Sequence, residues 1–232
     1  LNTIPVASIK RIEVLRDGAA ALYGSDAIAG VINVQLKDDT TGVSASSTVG
    51  QTVEGDGELF QADANVGIGL GGRGFVDLSG QFSDRGFTNR SGVDTAPLIY
   101  LGDNNGNYPA NANTPALREA LKRRDDALVA QRGYNRRNLR FGNSDQRNYG
   151  GFLNAGYTLS RELGLEAYLT AGLMRRTGKA AGFARLPGRF SAQNDSTYYP
   201  NGFLPFIEPE IVDRSVLAGV RGRALGFNWD LS

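Results

Sequence analysis

No cysteine and no histidine occur among the 232 residues of the chain. A disulfide framework, a thiolate zinc site and a histidine-centred catalytic triad are therefore all excluded for this stretch of sequence. The lack of cysteine fits many compartments and locates nothing by itself. Long apolar runs are missing too. No eighteen consecutive apolar residues can be found, which excludes a membrane-spanning helix but not a membrane β-barrel, in which only alternate residues face lipid. Nor does either sign of charge dominate. Twenty-five basic residues stand against twenty-four acidic ones, so no global field points to nucleic acid or to an anionic membrane surface. No signal peptide is visible, and the length suits one or two ordinary domains.

The stretch that organises the rest is Ile9 to Lys37, IKRIEVLRDGAAALYGSDAIAGVINVQLK. Ile9 to Leu15 alternates apolar and charged residues, the period-2 signature of a strand with one buried face. Arg16-Asp17-Gly18 turns the chain, Ala19 to Leu22 is a short run of helix formers, and Tyr23-Gly24 ends it. Ala27 to Leu36 is β-branched and small, with Gly30 where a backbone approaches closely, and reads as a second buried strand. A unit of this size cannot hold a core alone and must pack inside something larger.

After a polar hinge, Lys37 to Thr41, strands of about ten residues follow. Leu59 to Leu70 puts Phe60, Ala62, Ala64, Val66 and Ile68 opposite Gln61, Asp63 and Asn65. Phe75 to Arg85 sets Val76, Leu78 and Phe82 against Asp77, Ser79 and Gln81. Tyr149 to Leu159, Leu163 to Leu173 and Ser215 to Leu225 repeat the alternation, Phe227-Asn228-Trp229 starts another strand, and Gly42 to Gly50 is a weaker first one. Connections alternate in length as well. Gly71 to Gly74, Ser160 to Glu162 and Gly226 to Asn228 are short, whereas Gly86 to Asn148 and Arg175 to Arg214 are long. Short turns at one end and long loops at the other distinguish an outer-membrane barrel from a soluble sandwich. Tyr149, Tyr157, Phe227 and Trp229 lie near strand ends, where amphipathic rings favour the membrane interface.

The fold expected is thus mostly β: a partial antiparallel transmembrane β-barrel of about six to seven strands. By parity Leu165, Leu169, Val66 and Ile68 meet lipid, while Asp63, Asp77 and Glu166 face the lumen. A barrel must close to satisfy its backbone. If the lumen is plugged, as in 22-stranded transporters, about fifteen more strands are expected beyond Ser232.

Leu1 to Pro5 together with IKRIEVLRDGAAALYGSDAIAGVINV resembles the end of the plug domain of TonB-dependent outer-membrane transporters. The resemblance covers roughly Leu1 to Lys37 closely; beyond it only the strand rhythm and YYPNGFLP (Tyr198 to Pro205) look alike. It implies that residues 1–39 are the C-terminal part of an α+β plug and that residues 40–232 are the first barrel strands, with extracellular loops at about 86–148 and 175–214. The chain then starts inside a domain and is expected to be an internal piece of a longer protein. The implied activity is TonB-dependent import of a scarce nutrient across the bacterial outer membrane. A ferric siderophore is the expected cargo; oligosaccharide, haem and cobalamin stay open, as does an outer-membrane barrel enzyme, although such enzymes usually need a histidine base. A passive porin would have no use for the plug unit. Implied partners are the TonB protein, a small-molecule cargo such as a ferric chelate, and outer-membrane lipid, with no nucleic acid, no cofactor and no catalytic residue.

The resemblance also points to plug–barrel contacts at Arg11, Glu13, Arg16, Asp17, Gly18, Tyr23, Gly24, Gly30 and Asn33, with Arg11 or Arg16 bonding to lumenal acids, since buried charges are normally paired. Tyr23-Gly24 serves packing and turn geometry. Thr114-Pro115 caps a helix running to about Ala130, with Leu117, Leu121 and Leu128 along one side. Its basic residues could join Arg132, Arg136, Arg137 and Arg140 in an electropositive mouth for an anionic cargo. Tyr100, Tyr108, Tyr134, Tyr198, Tyr199 and Phe203 could stack on a catecholate or a sugar. Gly67-Ile68-Gly69-Leu70-Gly71-Gly72 fits a dinucleotide fingerprint, but the next residues alternate instead of forming a helix, so it reads as a hairpin turn. Asp103 to Asn107 begins a calcium-loop spacing without the glycine and terminal acid that complete one, and reads as a solvated turn.

Overall fold

A computed structural model describes residues 4–16, 30–188 and 192–232. Asp17, Gly18, Tyr23 and Gly24, with the short helical run between them, lie outside the described residues. The chain divides into two compact units, residues 1–85, 146–177 and 210–232 in the first, and residues 86–145 and 178–209 in the second.

In the first unit, β1 (Ile9–Leu15) and β2 (Val31–Leu36) form an antiparallel hairpin in the register Val14↔Ile32 and Glu13↔Asn33. Gly30 sits at φ +132°, and a Cβ there would lie 2.5 Å from the carbonyl oxygen of Leu15. The close approach read from the sequence is thus required by the backbone. A 3-10 turn, Val6–Ser8, packs on the sheet described next.

That sheet contains β3 (Val43–Gly50), β4 (Leu59–Gly69), β5 (Gly74–Arg85), β6 (Asp145–Ser160), β7 (Leu165–Ala181), β9 (Glu210–Ala224) and β10 (Phe227–Leu231), each hydrogen-bonded to its sequence neighbour in an antiparallel meander. The two-residue β8 (Phe206–Ile207) pairs with the end of β7. The pairings Ala64↔Gly80, Gly80↔Gly151 and Ala167↔Val220 keep one side-chain parity on each face across the sheet.

The faces are inverted relative to a soluble protein. Phe60 is 46% exposed and Leu173 54%, and Ile68, Leu78, Phe82, Leu169 and Val216 on the same face are exposed too. The opposite face buries Asn65, Asp77 and Ser79. Water-facing apolar area of this extent would be unfavourable; facing hydrocarbon, it is the arrangement a membrane strand needs. No helix among the described residues is long and apolar enough to cross a membrane.

Three strands run further than alternation alone suggests. β6 starts at Asp145, β7 continues to Ala181 and β9 starts at Glu210, so the long connections are shorter than 86–148 and 175–214. These extensions have few apolar members. Charged rungs hold them instead: Arg147 with Asp84, Arg175 with Glu210 at 2.8 Å, and Lys179 with Glu208 at 2.7 Å. A pattern of alternating hydrophobicity has nothing to register there.

The second unit is built from the two long connections. Its helix, α1 (Pro115–Arg132), starts at Thr114, whose hydroxyl accepts the Leu117 N–H, and ends at Gly133 in the left-handed region. Ile99, Tyr100 and Leu186 form its buried centre, with Ala96, Leu101, Leu128, Val129 and Tyr134 packed around them.

Candidate functional site

The polar face of the sheet holds a network where the hairpin β1–β2 leads into β3. Asn65 donates to a carboxylate oxygen of Asp77 and to the Ser79 hydroxyl at 3.0 Å. Lys37 donates to Asn65 Oδ1 at 3.3 Å, and its carbonyl accepts from Asn154 Nδ2 at 2.8 Å. Thr170 in turn donates to Asn154 Oδ1 at 3.2 Å. Asp77 is 2% exposed, and its second carboxylate oxygen has no partner among the described residues. Side chains of two strands, Asn65 of β4 and Asn154 of β6, thereby hold a single residue of the connecting segment.

Two glycines make room for that segment. A Cβ on Gly67 would stand 2.6 Å from the Asp39 carbonyl oxygen, and one on Gly69 would stand 2.9 Å from that of Thr40. Gly67 N–H also donates to the Gly42 carbonyl at 2.9 Å. The glycine run therefore does two jobs. Gly71 and Gly72 form the hairpin turn expected, at φ +59° and +68°, while Gly67 and Gly69 form a trough for the connector.

Charges of the hairpin pair differently from expectation. Arg11 bonds Glu13 on its own strand at 2.9 Å, and Asn33 donates to the other oxygen of Glu13 at 3.0 Å. Among the described residues neither Arg11 nor Arg16 reaches Asp63, Asp77 or Glu166. Glu166 is taken by Arg221 at 2.9 Å on the neighbouring strand. The residue that meets the wall is Lys37, and Lys10 fastens Asp38 beside it. Proximity decides this: Lys37 leaves β2 directly over β4, whereas Arg11 lies across from Gln35 within the hairpin.

In the second unit most of the expected cargo residues hold the loops together. Tyr100 is buried, meets Tyr134 edge-on at 5.9 Å and donates to Asn201 Oδ1 at 2.9 Å. Burial pushes the Tyr134 phenol up to about 12 and that of Tyr100 up in the same direction. Arg132 stacks on Tyr100 at 5.0 Å and donates to the Pro200 carbonyl, and Arg136 donates to those of Asp94 and Ala96. Arg140 bonds Asp145 at 2.7 Å and lies over the ring of Phe87 at 3.3 Å. These guanidinium groups are committed internally, so the electropositive mouth contracts. Arg137 and Tyr198 stay exposed, and Tyr199 stacks on Phe203 at 4.4 Å with about half its surface free. Tyr108 lies beneath Arg118 at 5.5 Å.

Asp103 accepts the backbone N–H groups of Asn107 at 2.8 Å and Asn105 at 2.9 Å. Those bonds, Asn107 foremost, hold its carboxyl below the ordinary carboxylate value. The carboxylate is consumed by its own turn, as a solvated turn requires. Among the described residues no group of three acids could hold a metal ion.

Sequence reasoning missed Asp125. It is wholly buried and accepts the N–H groups of Ile99 at 2.8 Å, Tyr100 at 2.7 Å and Leu101 at 2.8 Å. Its signal was positional: it lies midway along the stripe Leu117–Leu121–Leu128, where an apolar residue belongs.

A sheet with one apolar face, one polar face, alternating short and long connections and a connector seated on its polar side is the partial wall of a membrane β-barrel. Residues 1–31 match the TonB-dependent receptor plug domain. The chain is 35% identical over 115 residues to the vitamin B12 transporter BtuB of Vibrio cholerae, covering 48% of this chain and 17% of that one. It is 41% identical over 86 residues to the vitamin B12 transporter BtuB of Vibrio vulnificus, covering 36% and 13%. To the ferric enterobactin receptor PirA of Pseudomonas aeruginosa it is 32% identical over 124 residues, covering 53% and 16%. The chain spans less than a fifth of the length of these relatives. The chain is thus similar to TonB-dependent receptors, through the plug-domain match of its first residues and its likeness to these transporters and this receptor.

Proposed function

We propose that the protein imports a scarce nutrient across the outer membrane, driven by the TonB protein, with a ferric siderophore as cargo and no enzymatic step of its own. In this reading residues 1–39 end the plug, residues 40–232 begin the barrel, and the second unit is extracellular. The single observation that carries it is the seating of the connector that follows the plug-matching residues on the polar face of the sheet. A passive pore gains nothing from such a seat. The ferric cargo draws on the likeness to the ferric enterobactin receptor and on the exposed Tyr198 and Tyr199, rings able to stack on a catecholate. Cobalamin is the second reading, favoured by the likeness to two vitamin B12 transporters.

Abundance of the full-length protein in outer membranes from iron-starved and iron-replete cells separates these readings. A strong rise under starvation supports the ferric cargo. Constant abundance in both, with repression by added cobalamin, moves the cargo to cobalamin. Uptake of the identified cargo that persists after loss of the TonB protein overturns the coupling.

A further inference from the structure

Beside the first half of α1 lies a cleft of about 200 Å³. Leu101, Pro109, Ala112, Leu117 and Leu121 make its apolar walls, and Asn111 and Arg124 supply its polar groups. The helix spacing explains the arrangement: Leu117, Leu121 and Arg124 follow one another at i, i+4 and i+7 on one face.

The charges of this stretch pair off with one conspicuous remainder. Lys122 bonds Asp126 at 2.7 Å and Arg123 bonds Glu119 at 3.5 Å. Asp125 is turned inward onto three backbone amides. Arg118 donates to the Ala112 carbonyl at 2.9 Å. Of these side chains only Arg124 has no hydrogen-bond or ion-pair partner among the described residues, and it lines the apolar cleft.

A free guanidinium offers a rigid fork of donors matched to a planar carboxylate, whose two oxygens it can bind in parallel. The volume is below the roughly 300–1,000 Å³ of sites for drug-sized ligands, so the body attached to the carboxylate is limited to about a single ring. We propose that this cleft binds a small single-ring carboxylate, its ring against Leu101, Leu117 and Leu121 and its carboxylate on Arg124, with the Asn111 amide as an additional donor. The site goes beyond the import reading and stands on binding alone, whatever the cargo.

The test is 19F NMR of 4-fluorobenzoate with the full-length protein in nanodiscs. Wild type should broaden the resonance, and unlabelled benzoate should restore it. Arg124→Gln should weaken binding about tenfold or more, the loss of a charge-assisted hydrogen bond. Leu117→Trp should block the cleft while leaving Arg124 in place; both positions are exposed, so both variants should fold. No broadening by wild type, or equal broadening by wild type and the two variants, overturns the proposal.

Discussion

Asp125 and Tyr100 are joined by a 2.7 Å hydrogen bond in which the buried carboxylate accepts the tyrosine's backbone N–H, with the amides of Ile99 and Leu101 bound to the same group. One side chain thus fixes a loop that has no ladder of its own. Removing it leaves buried donors without partners, each costing about 1–3 kcal/mol. Asp125→Ala should destabilise the second unit by about 3 kcal/mol or more, and Asp125→Asn by less, since an amide oxygen still accepts. Hydrogen exchange at residues 98–101 of the full-length protein should accelerate markedly in the alanine variant, while β4 and β5 stay protected. Unchanged protection would contradict the role given to Asp125.

Gly67 makes a second prediction. A methyl group there meets the Asp39 backbone, and overpacking against backbone costs about 1–3 kcal/mol. Gly67→Ala should leave the barrel strands formed but raise protease cleavage near residues 37–42. Cleavage equal to wild type would mean that the connector is not held by this trough.

Outward-facing Leu169 offers a test of which side meets lipid. Leu169→Arg should lower unfolding stability in lipid vesicles by about 2–4 kcal/mol, the cost of a cation near the bilayer midplane. A soluble sheet would tolerate the same change at an exposed position with little loss, so urea midpoints decide between the two.

Alkaline pH should loosen the second unit. The Tyr134 phenol ionises at about 12 in the folded protein against an ordinary 10.0, so the folded state holds its proton more tightly than the unfolded chain. Its contribution is complete below pH 10 and disappears as pH rises through about 12, a loss on the order of 2 kcal/mol. Ultraviolet titration should show the Tyr134 phenol ionising after the exposed tyrosines, and Tyr134→Phe should remove that latest step and flatten the alkaline loss.

Much of the sheet was legible because each spanning strand repeats a two-residue period with one consistent parity; Phe60, Ala62, Ala64, Val66 and Ile68 announce β4 unaided. The helix was legible from Thr114-Pro115. What escaped depends on neighbours remote in sequence. Nothing local distinguishes Asn154, which binds Lys37 117 positions away, from any other lumenal amide. Arg132 and Arg136 looked like free cations because their acceptors are backbone carbonyls, which no side-chain pattern reveals. Glycines 67 and 69 were read as turn formers because their contact, a segment some 28 residues earlier, shows only when the chain is folded.

Leu186 enters the centre of the second unit beside Ile99 and Tyr100, yet β6 and β7 lie between them in the chain. Closing that contact requires a long loop closure, at a cost in chain entropy. The cluster is completed only where the chain returns from β7. The second unit is therefore shared between two stretches of chain, and α1 borders a cluster whose last member comes two strands later in the sequence.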